Sequence, residues 1–509
     1  MTEDGHGGVL LAWTDPRDNA TNSNDIYVQR INGSGEPVWT LNGVAVAANP
    51  GSELQPSIVA VSMDRAAVVW RFTGTGTDLA MNFLNLANGS KVLVSDVVVN
   101  AEANNQTNQQ VAADGSGGVI VVWTDGRVTN ATSGIVAQRI NQEGAKMWLE
   151  TGAMVRTPGG TNTTAPQLVA DGTGGAVFAW SDSRNGPTNA DIYAQYFNEN
   201  GESQWGTAGI GLQVTGASGL QTNPSIIRSG ANYIIGWSDQ QNGGAGNTDV
   251  YAQAYNAGGT ALWNGGQPFA VVDIADQQPL ANTAPTMVAD GSGGAIFIWD
   301  DRRFTSTNTD IYAQYVTAAG AKQWAENGAA VATREGSNQN TAMAVASSDN
   351  GIIVAWRDSR TNANAEIFAS RLQRDGLLPV NILELGAQAI GKQVEVRWTS
   401  ANERALQRFE VERSADGMVF EMAGTVAARN APGTHQYRFD DLRPISGQSF
   451  YRIRSIDTDG KTAFSNVARV SIVFAAEGNL HIYPNPAVAT ANLQLNDVPA
   501  GSYSIRMID

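Results

Sequence analysis

Ala176-Val177-Phe178-Ala179-Trp180-Ser181-Asp182-Ser183-Arg184, followed after a polar stretch by Asp191-Ile192-Tyr193-Ala194-Gln195, is the stretch that decides the fold. An apolar run of this length, preceded by the Gly-rich turn Asp171-Gly172-Thr173-Gly174-Gly175, reads as a buried strand. Asp191 to Tyr196 reads as its partner across a polar loop. Ala165 to Ala170 before the turn, and Gln204 to Val214 after Asn198-Glu199-Asn200-Gly201, supply two more strands. The block recurs. Its Trp falls at Trp13, Trp70, Trp123, Trp180, Trp237, Trp299 and Trp356, so seven copies follow one another at intervals of 53 to 62 residues. Four short strands per copy at a fixed period predict a β-propeller with one blade per repeat.

The predicted fold class is all-β: a seven-bladed propeller over 1–377, a small sandwich over 378–474, and the start of a second small sandwich over 475–509. Blades 1 and 7 are expected to be incomplete, blade 1 without its inner strand and blade 7 without its outer one. The natural reading is that an upstream segment completes them.

Composition narrows the chemistry. The chain has 509 residues, a formal net charge of −16, no Cys and three His, namely His6, His435 and His481. Zero Cys removes thiol nucleophiles and Cys metal sites, and three scattered His leave no multi-His zinc site. The acidic balance speaks against nucleic acid as a partner. No apolar run long enough to span a membrane is present. No metal site is predicted; calcium in the Asp/Asn-rich loops, such as Asp15 to Asp25, is the one cofactor left open.

Twelve of the thirteen Trp recur at two equivalent blade positions, which marks them as packing residues rather than sugar platforms. The Asp and Arg of Trp-x-Asp-x-Arg recur as Asp15/Arg17, Asp125/Arg127, Asp182/Arg184, Asp301/Arg303 and Asp358/Arg360, and read as a clamp on the loop neck. All the long loops fall on one face of a propeller, and that face is the candidate binding face. Departures from the repeat are where function is sought. Copy 2 reads Trp70-Arg71-Phe72-Thr73, without the Asp, and copy 5 has Gln241 in place of Arg. An insertion carrying Asp273 and Asp276 precedes copy 6, which carries Asp300 beside Asp301. Asp273, Asp276 and Asp300, with the channel-rim hydroxyls Thr164, Thr222 and Thr283, are the candidate ligand-binding residues.

Beyond the repeats, Val396-Arg397-Trp398-Thr399, Phe409 to Gly417, and Tyr451-Arg452 with Asp457 and Asp459-Gly460 resemble the fibronectin type III-like modules of secreted Bacteroidetes proteins. Asn479 to Ala487, containing Tyr483-Pro484-Asn485-Pro486, resembles the opening of a type IX secretion C-terminal sorting domain. That resemblance implies export, secretion or attachment to the outer cell surface, and the type IX machinery as a partner. Even repetition and the absence of a nucleophile constellation lead to the expectation of a non-catalytic binding scaffold whose loop face takes a glycan or protein. The alternative is a secreted propeller enzyme, a glycoside hydrolase or polysaccharide lyase, with carboxylates near copies 5 and 6.

Overall fold

The computed structural model describes residues 1–496 apart from 18–23, 49–50, 74–75, 128–132, 159–165, 185, 187, 208–211, 215–218, 242–247, 275–283, 304–307, 334–336, 348–350, 360–364, 373, 375–380, 402, 404–405, 432–433, 459–461, 473–478, 484–485, 487–488 and 491. The chain divides into two compact units, Met1–Gly376 and Leu377–Asp509.

The first unit is a succession of antiparallel sheets of the propeller type, one per repeat. Six of them have four strands in simple meander order, and the sheet of repeat 7 has three. Repeat 4 shows the plan, with strands Gln167–Ala170, Ala176–Asp182, Asp191–Phe197 and Leu212–Gln213. The second strand is buried along its whole length because it has a neighbouring sheet on each side. Two details differ from expectation. Repeat 1 does have an inner strand, the short Thr2–Glu3 paired with Val9 and Leu10. The second Trp of each copy does not open the outer strand; Trp39, for instance, precedes Val44–Ala47.

That second Trp is a staple between repeats. Trp39, Trp148, Trp205, Trp263 and Trp324 each donate the indole N–H to a carbonyl of the next repeat, those of Leu86, Glu199, Ala257, Ala318 and Arg374, at 2.9–3.1 Å. Each of these Trp also has its backbone N–H accepted by the Gln that closes Asp-Ile-Tyr-Ala-Gln, as in Trp205 N to Gln195 Oε1 at 2.8 Å. The indole face packs flat on a turn of the next repeat, where a side chain does not fit: a Cβ on Gly201 would come within 2.7 Å of Trp148. Burying one such ring removes roughly 200 Å² from water, about 5 kcal/mol as an upper bound. The apolar clusters run from sheet to sheet, as where Val177, Ala179 and Ile192 meet Ile235, Trp237 and Tyr251. The sheet of repeat 7 leaves Met343, Val345, Ile353 and Ile367 exposed on one face.

The inner strands of repeats 2, 3, 5 and 7 begin with a bulge beside the loop face. The register slips between Leu54 and Ser57, Thr222 and Ser225, and Asn340 and Met343 on the inner strands. Gln55, Asn108, Asn223 and Thr341 carry the positive φ there. For Thr341 (φ 58°) this is a strained backbone, since a β-branched side chain disfavours it.

The second unit is a two-sheet sandwich. Asn381–Ile390, Gln393–Ala401 and Thr434–Asp441 form one sheet. Glu421–Ala427, Leu406–Ser414, Gly447–Asp457, Thr462–Phe464 and Ala468–Ile472 form the other. The two close on Val396, Trp398, Phe409, Tyr437 and Tyr451. Trp398 stacks on Tyr437 with ring centroids 5.3 Å apart. Asn479–Tyr483 pairs with Asn492–Asn496 as a separate two-stranded hairpin.

Candidate functional site

The Trp-x-Asp-x-Arg clamp sets the baseline for the loop face. In repeat 3, Trp123 donates its indole N–H to Asp125 Oδ2 at 2.8 Å, and Arg127 meets the same carboxylate through its backbone N–H and its guanidinium, at 2.8–2.9 Å. Repeats 1, 4 and 6 repeat this on Asp15, Asp182 and Asp301. The guanidinium lies over the Tyr of Asp-Ile-Tyr, at 3.8 Å for Arg17 over Tyr27 and 3.6 Å for Arg303 over Tyr312. The second carboxylate sits directly opposite the first across the strand pair, as Asp182 faces Asp191. Arg156 of repeat 3 adds a second guanidinium to Asp182 at 3.0 Å. The Arg17 guanidinium and the Trp13 indole hold the Asp15 carboxyl below the usual carboxylate range, and at Asp182 burial is outweighed by the Arg184 and Arg156 guanidiniums, which hold it low as well. These are structural joints with no free charge to offer chemistry.

Repeat 5 lacks the guanidinium. Asp239 is 1 % exposed and accepts from Trp237 Nε1 (2.9 Å), the backbone N–H of Gln241 (2.9 Å) and Gln221 Nε2 (3.4 Å). Burial pushes its carboxyl up, and the charge of Asp273 adds to the shift. Tyr251, stacked on Trp237, donates its hydroxyl to Asp273 Oδ2 at 3.0 Å instead of carrying an arginine. Asp273 is exposed at the end of the outer strand. The sequence positions matching it in the other repeats hold Ala48, Ala101, Thr157, Thr215 and Thr333, so the carboxylate is peculiar to repeat 5.

Asp300 is the other departure. The residue after the strand Trp is Thr14, Thr124, Ser181 or Ser238 in four repeats and Arg71 or Arg357 in two, but Asp300 in repeat 6. It is half-buried against the inner strand of repeat 7, where the backbone N–H of Thr341 donates to Oδ2 at 3.1 Å. Burial pushes its carboxyl up despite backbone donors and the Arg302 charge, which pull it down. The structure therefore sets Asp273 beside Asp239 and Asp300 beside repeat 7, on adjacent repeats. Asp239, the buried member, is the residue that motif reading passed over; the Gln241 substitution two positions on was the available signal.

Of the remaining expected site residues, Thr222 lies at the bulge of repeat 5, where its Oγ1 accepts from Asn223 Nδ2 at 3.4 Å. Asp276, Thr164 and Thr283 lie outside the described residues. Among the described residues no group of three or more His, Asp or Glu is arranged to hold a metal ion. No helix of the described residues is long and apolar enough to cross a membrane.

A cavity of about 830 Å³ opens in the second unit, far in sequence from these carboxylates, lined by Arg397, Trp398, Arg429, Tyr437 and Arg438. Two of its guanidiniums are already engaged by Glu395, Arg397 at 2.5 Å and Arg438 at 2.8 Å, so its size does not make it the reactive site.

No family model and no curated protein matches the chain. Solved structures similar to it include an α-L-arabinanase of Penicillium chrysogenum complexed with arabinobiose, 11 % identical over 63 % of this chain and 93 % of that one, with a TM-score of 0.39. An endo-arabinase from Bacteroides thetaiotaomicron is 11 % identical over 52 % of this chain and 94 % of that one, with a TM-score of 0.31. The β-propeller domain of the Trilobed protease from Pyrococcus furiosus is 9 % identical over 68 % and 91 %, with a TM-score of 0.35. The likeness is one of propeller shape. The expectation of a non-catalytic scaffold is corrected by these neighbours, of which the arabinanase and the endo-arabinase are enzymes.

Proposed function

We propose that the repeat region is a propeller glycosidase that cleaves an extracellular polysaccharide at the loop ends of repeats 5 and 6. One observation carries this reading. Where the clamp arginine is replaced by Gln241, two carboxyls on adjacent repeats, Asp239 and Asp300, are pushed up by burial, and the exposed Asp273 stands beside the first. Glycoside hydrolysis needs a carboxyl that stays protonated to give a proton to the leaving oxygen, and a second carboxylate for the sugar carbon or its attacking water. Asp300 is assigned the first role and Asp273 the second, with Tyr251 orienting Asp273. Asp239 is a positioning residue, since it is buried and acts through Asp273.

The same reading takes the repeats as a seven-bladed ring, in which the exposed face of repeat 7 closes on the Trp13 side of repeat 1. It takes residues 378–474 as a fibronectin type III-like spacer, supported by the two-sheet topology and the buried Trp398. Residues 475–509 are proposed to direct export by type IX secretion to the medium or the outer surface, on the strength of Tyr483-Pro484-Asn485-Pro486.

The test is release of reducing ends from arabinan, xylan, galactan and glucomannan by the purified chain. Turnover of one of these that is lost in both Asp300→Asn and Asp273→Asn, and kept in Asp416→Asn of the second unit, supports the proposal. No turnover on any of the four, or turnover indifferent to both substitutions, refutes it. Products with an unsaturated end would reassign the site to a lyase.

A further inference from the structure

The cavity of about 830 Å³ in the second unit draws most of its wall from the three-stranded sheet. Strand register says which side chains stand there together. Gly386, Arg397 and Arg438 pair across the three strands, and Glu384, Thr399 and Gln436 form the next row on the same face. Leu385, Trp398 and Tyr437, between the two rows, turn the other way into the core. At Gly386 a Cβ would meet nothing within 4 Å, so the missing side chain leaves open space.

Arg397 and Arg438 stand directly opposite each other, an arrangement that destabilises a sheet unless it is compensated. Glu395, 3 % exposed, compensates both, with Arg397 Nε at 2.5 Å and Arg438 Nε at 2.8 Å. Asp440 also accepts from Arg438 Nε, at 3.0 Å. Each guanidinium is thus held by its Nε corner. The Nη groups make no hydrogen bond among the described residues, and the two side chains are 67 % and 53 % exposed. Arg429, also in the wall, is fixed through its backbone N–H, which Glu403 accepts at 2.8 Å. Its guanidinium lies 5.2 Å from the Tyr437 ring centroid and has no carboxylate partner among the described residues.

We propose that this cavity binds an acidic polysaccharide through the carboxylates of its uronate rings. A guanidinium with a free Nη edge presents two parallel N–H groups, which match the two oxygens of a carboxylate. Arg429 offers its whole set of donors. Glu384, Thr399 and Gln436 suit ring hydroxyls, which both donate and accept. A small inorganic anion would leave that second row unmet, and a peptide strand would add along a sheet edge rather than across a face. The volume is toward the upper end of the ~300–1,000 Å³ typical of ligand pockets, which gives room for more than one ring. Charge also favours this unit over the other: of the formal net charge of −16, all but a single charge falls on residues 1–376. The proposal does not rest on the glycosidase reading, to which the second unit contributes no residue.

The experiment is calorimetric titration of the full chain with trigalacturonate, with neutral galactotriose and with a triglutamate peptide. It is run in the Asp300→Asn background so that turnover does not intervene. Trigalacturonate should bind about 10-fold or more tightly than either of the others, since only it offers both carboxylates and ring hydroxyls. Arg429→Gln, which breaks no ion pair, should weaken that binding about 5–20-fold. Gly386→Glu, whose side chain enters open space and brings a carboxylate up to Arg397, should abolish it. The proposal is overturned if trigalacturonate does not bind, or if galactotriose binds as tightly. It is equally overturned if triglutamate binds as tightly, which would make this a peptide site. Unchanged binding in whichever of Arg429→Gln and Gly386→Glu folds would also overturn it.

Discussion

Gln241→Arg puts back the arginine that repeat 5 lacks, and the rest of its clamp is already in place. Asp239 is 1 % exposed and receives the same indole and backbone donors as Asp182 in repeat 4. Tyr251 stacks on Trp237 as Tyr193 does on Trp180, and Arg184 lies 4.0 Å over Tyr193. A charge-assisted hydrogen bond to a buried carboxylate contributes ~1.5–3 kcal/mol and the guanidinium–ring contact ~0.5–1. Ordering the longer side chain costs up to ~2 kcal/mol. A net gain of about 1–2 kcal/mol at pH 7 follows.

With an unfolding entropy near ~2.1 cal/mol/K per residue, 2 kcal/mol over Met1–Gly376 corresponds to a Tm rise of about 2.5 °C. The sign of the pH dependence is fixed by the direction of the shift. In the native chain Asp239 is pushed up, so its contribution favours folding at low pH and is lost as pH rises through the folded value. In the variant the carboxyl is pulled down like Asp182, so its contribution is present above the unfolded pKa and lost as pH falls. Calorimetry of both proteins at pH 7 and pH 3 should show the gain at pH 7 and little or none at pH 3. A lowered Tm at pH 7, or an equal gain at both, would refute the reading of Gln241 as a vacated clamp.

Other consequences follow from the same geometry. Asp182→Ala should destabilise the first unit by about 3–5 kcal/mol in denaturant titration, because it strands Arg156, whose side chain is 3 % exposed, and Arg184. On a substrate that the chain turns over, kcat/KM should fall as pH rises through the Asp300 pKa, which burial has pushed up, and Asp300→Asn should remove that limb from the pH–rate profile. In the second unit Glu403 accepts from the Tyr437 hydroxyl at 2.8 Å and from the backbone N–H groups of Arg429 and Asn430 at 2.8 and 3.0 Å. Glu403→Ala should therefore cost about 2–4 kcal/mol of sandwich stability, read as an early unfolding transition, since it leaves these donors unmet. Tyr437 itself is pushed up to about 12 by burial and by that carboxylate, so its absorbance should not titrate below pH 11 in the folded protein.

What was legible in the sequence divides along a physical line. Features that every copy must share were readable, because seven copies average out local noise. The strand Trp, the Gly turns and the clamp Asp lie where the periodicity puts them. The Gln of Asp-Ile-Tyr-Ala-Gln was not assigned a role, although it is equally regular. Its work, holding the backbone N–H of the second Trp, is a contact between strands that spacing does not reveal. The inner-strand bulges were missed for a similar reason: Gln55 and Thr341 are poor residues for positive φ, and only neighbouring sheets impose it. Asp300 and Asp273 are legible as departures from the repeat, but spacing does not say what each of them faces. The structure pairs Asp273 with Asp239, a residue that looked like one more clamp.

That last point bears on how a repeat protein gains chemistry at all. A clamp carboxylate is useless for catalysis or binding while its arginine is present, because the charge and every lone pair are spent on holding the loop. Losing the arginine, as at Gln241, leaves a buried carboxyl whose proton affinity is raised with no change in the frame. Such a loss stays local, because repeats 1, 3, 4 and 6 keep their Asp–Arg clamps. If Gln241→Arg stabilises the protein while removing activity, the departure at repeat 5 is functional. If it stabilises the protein and activity persists, that departure is drift.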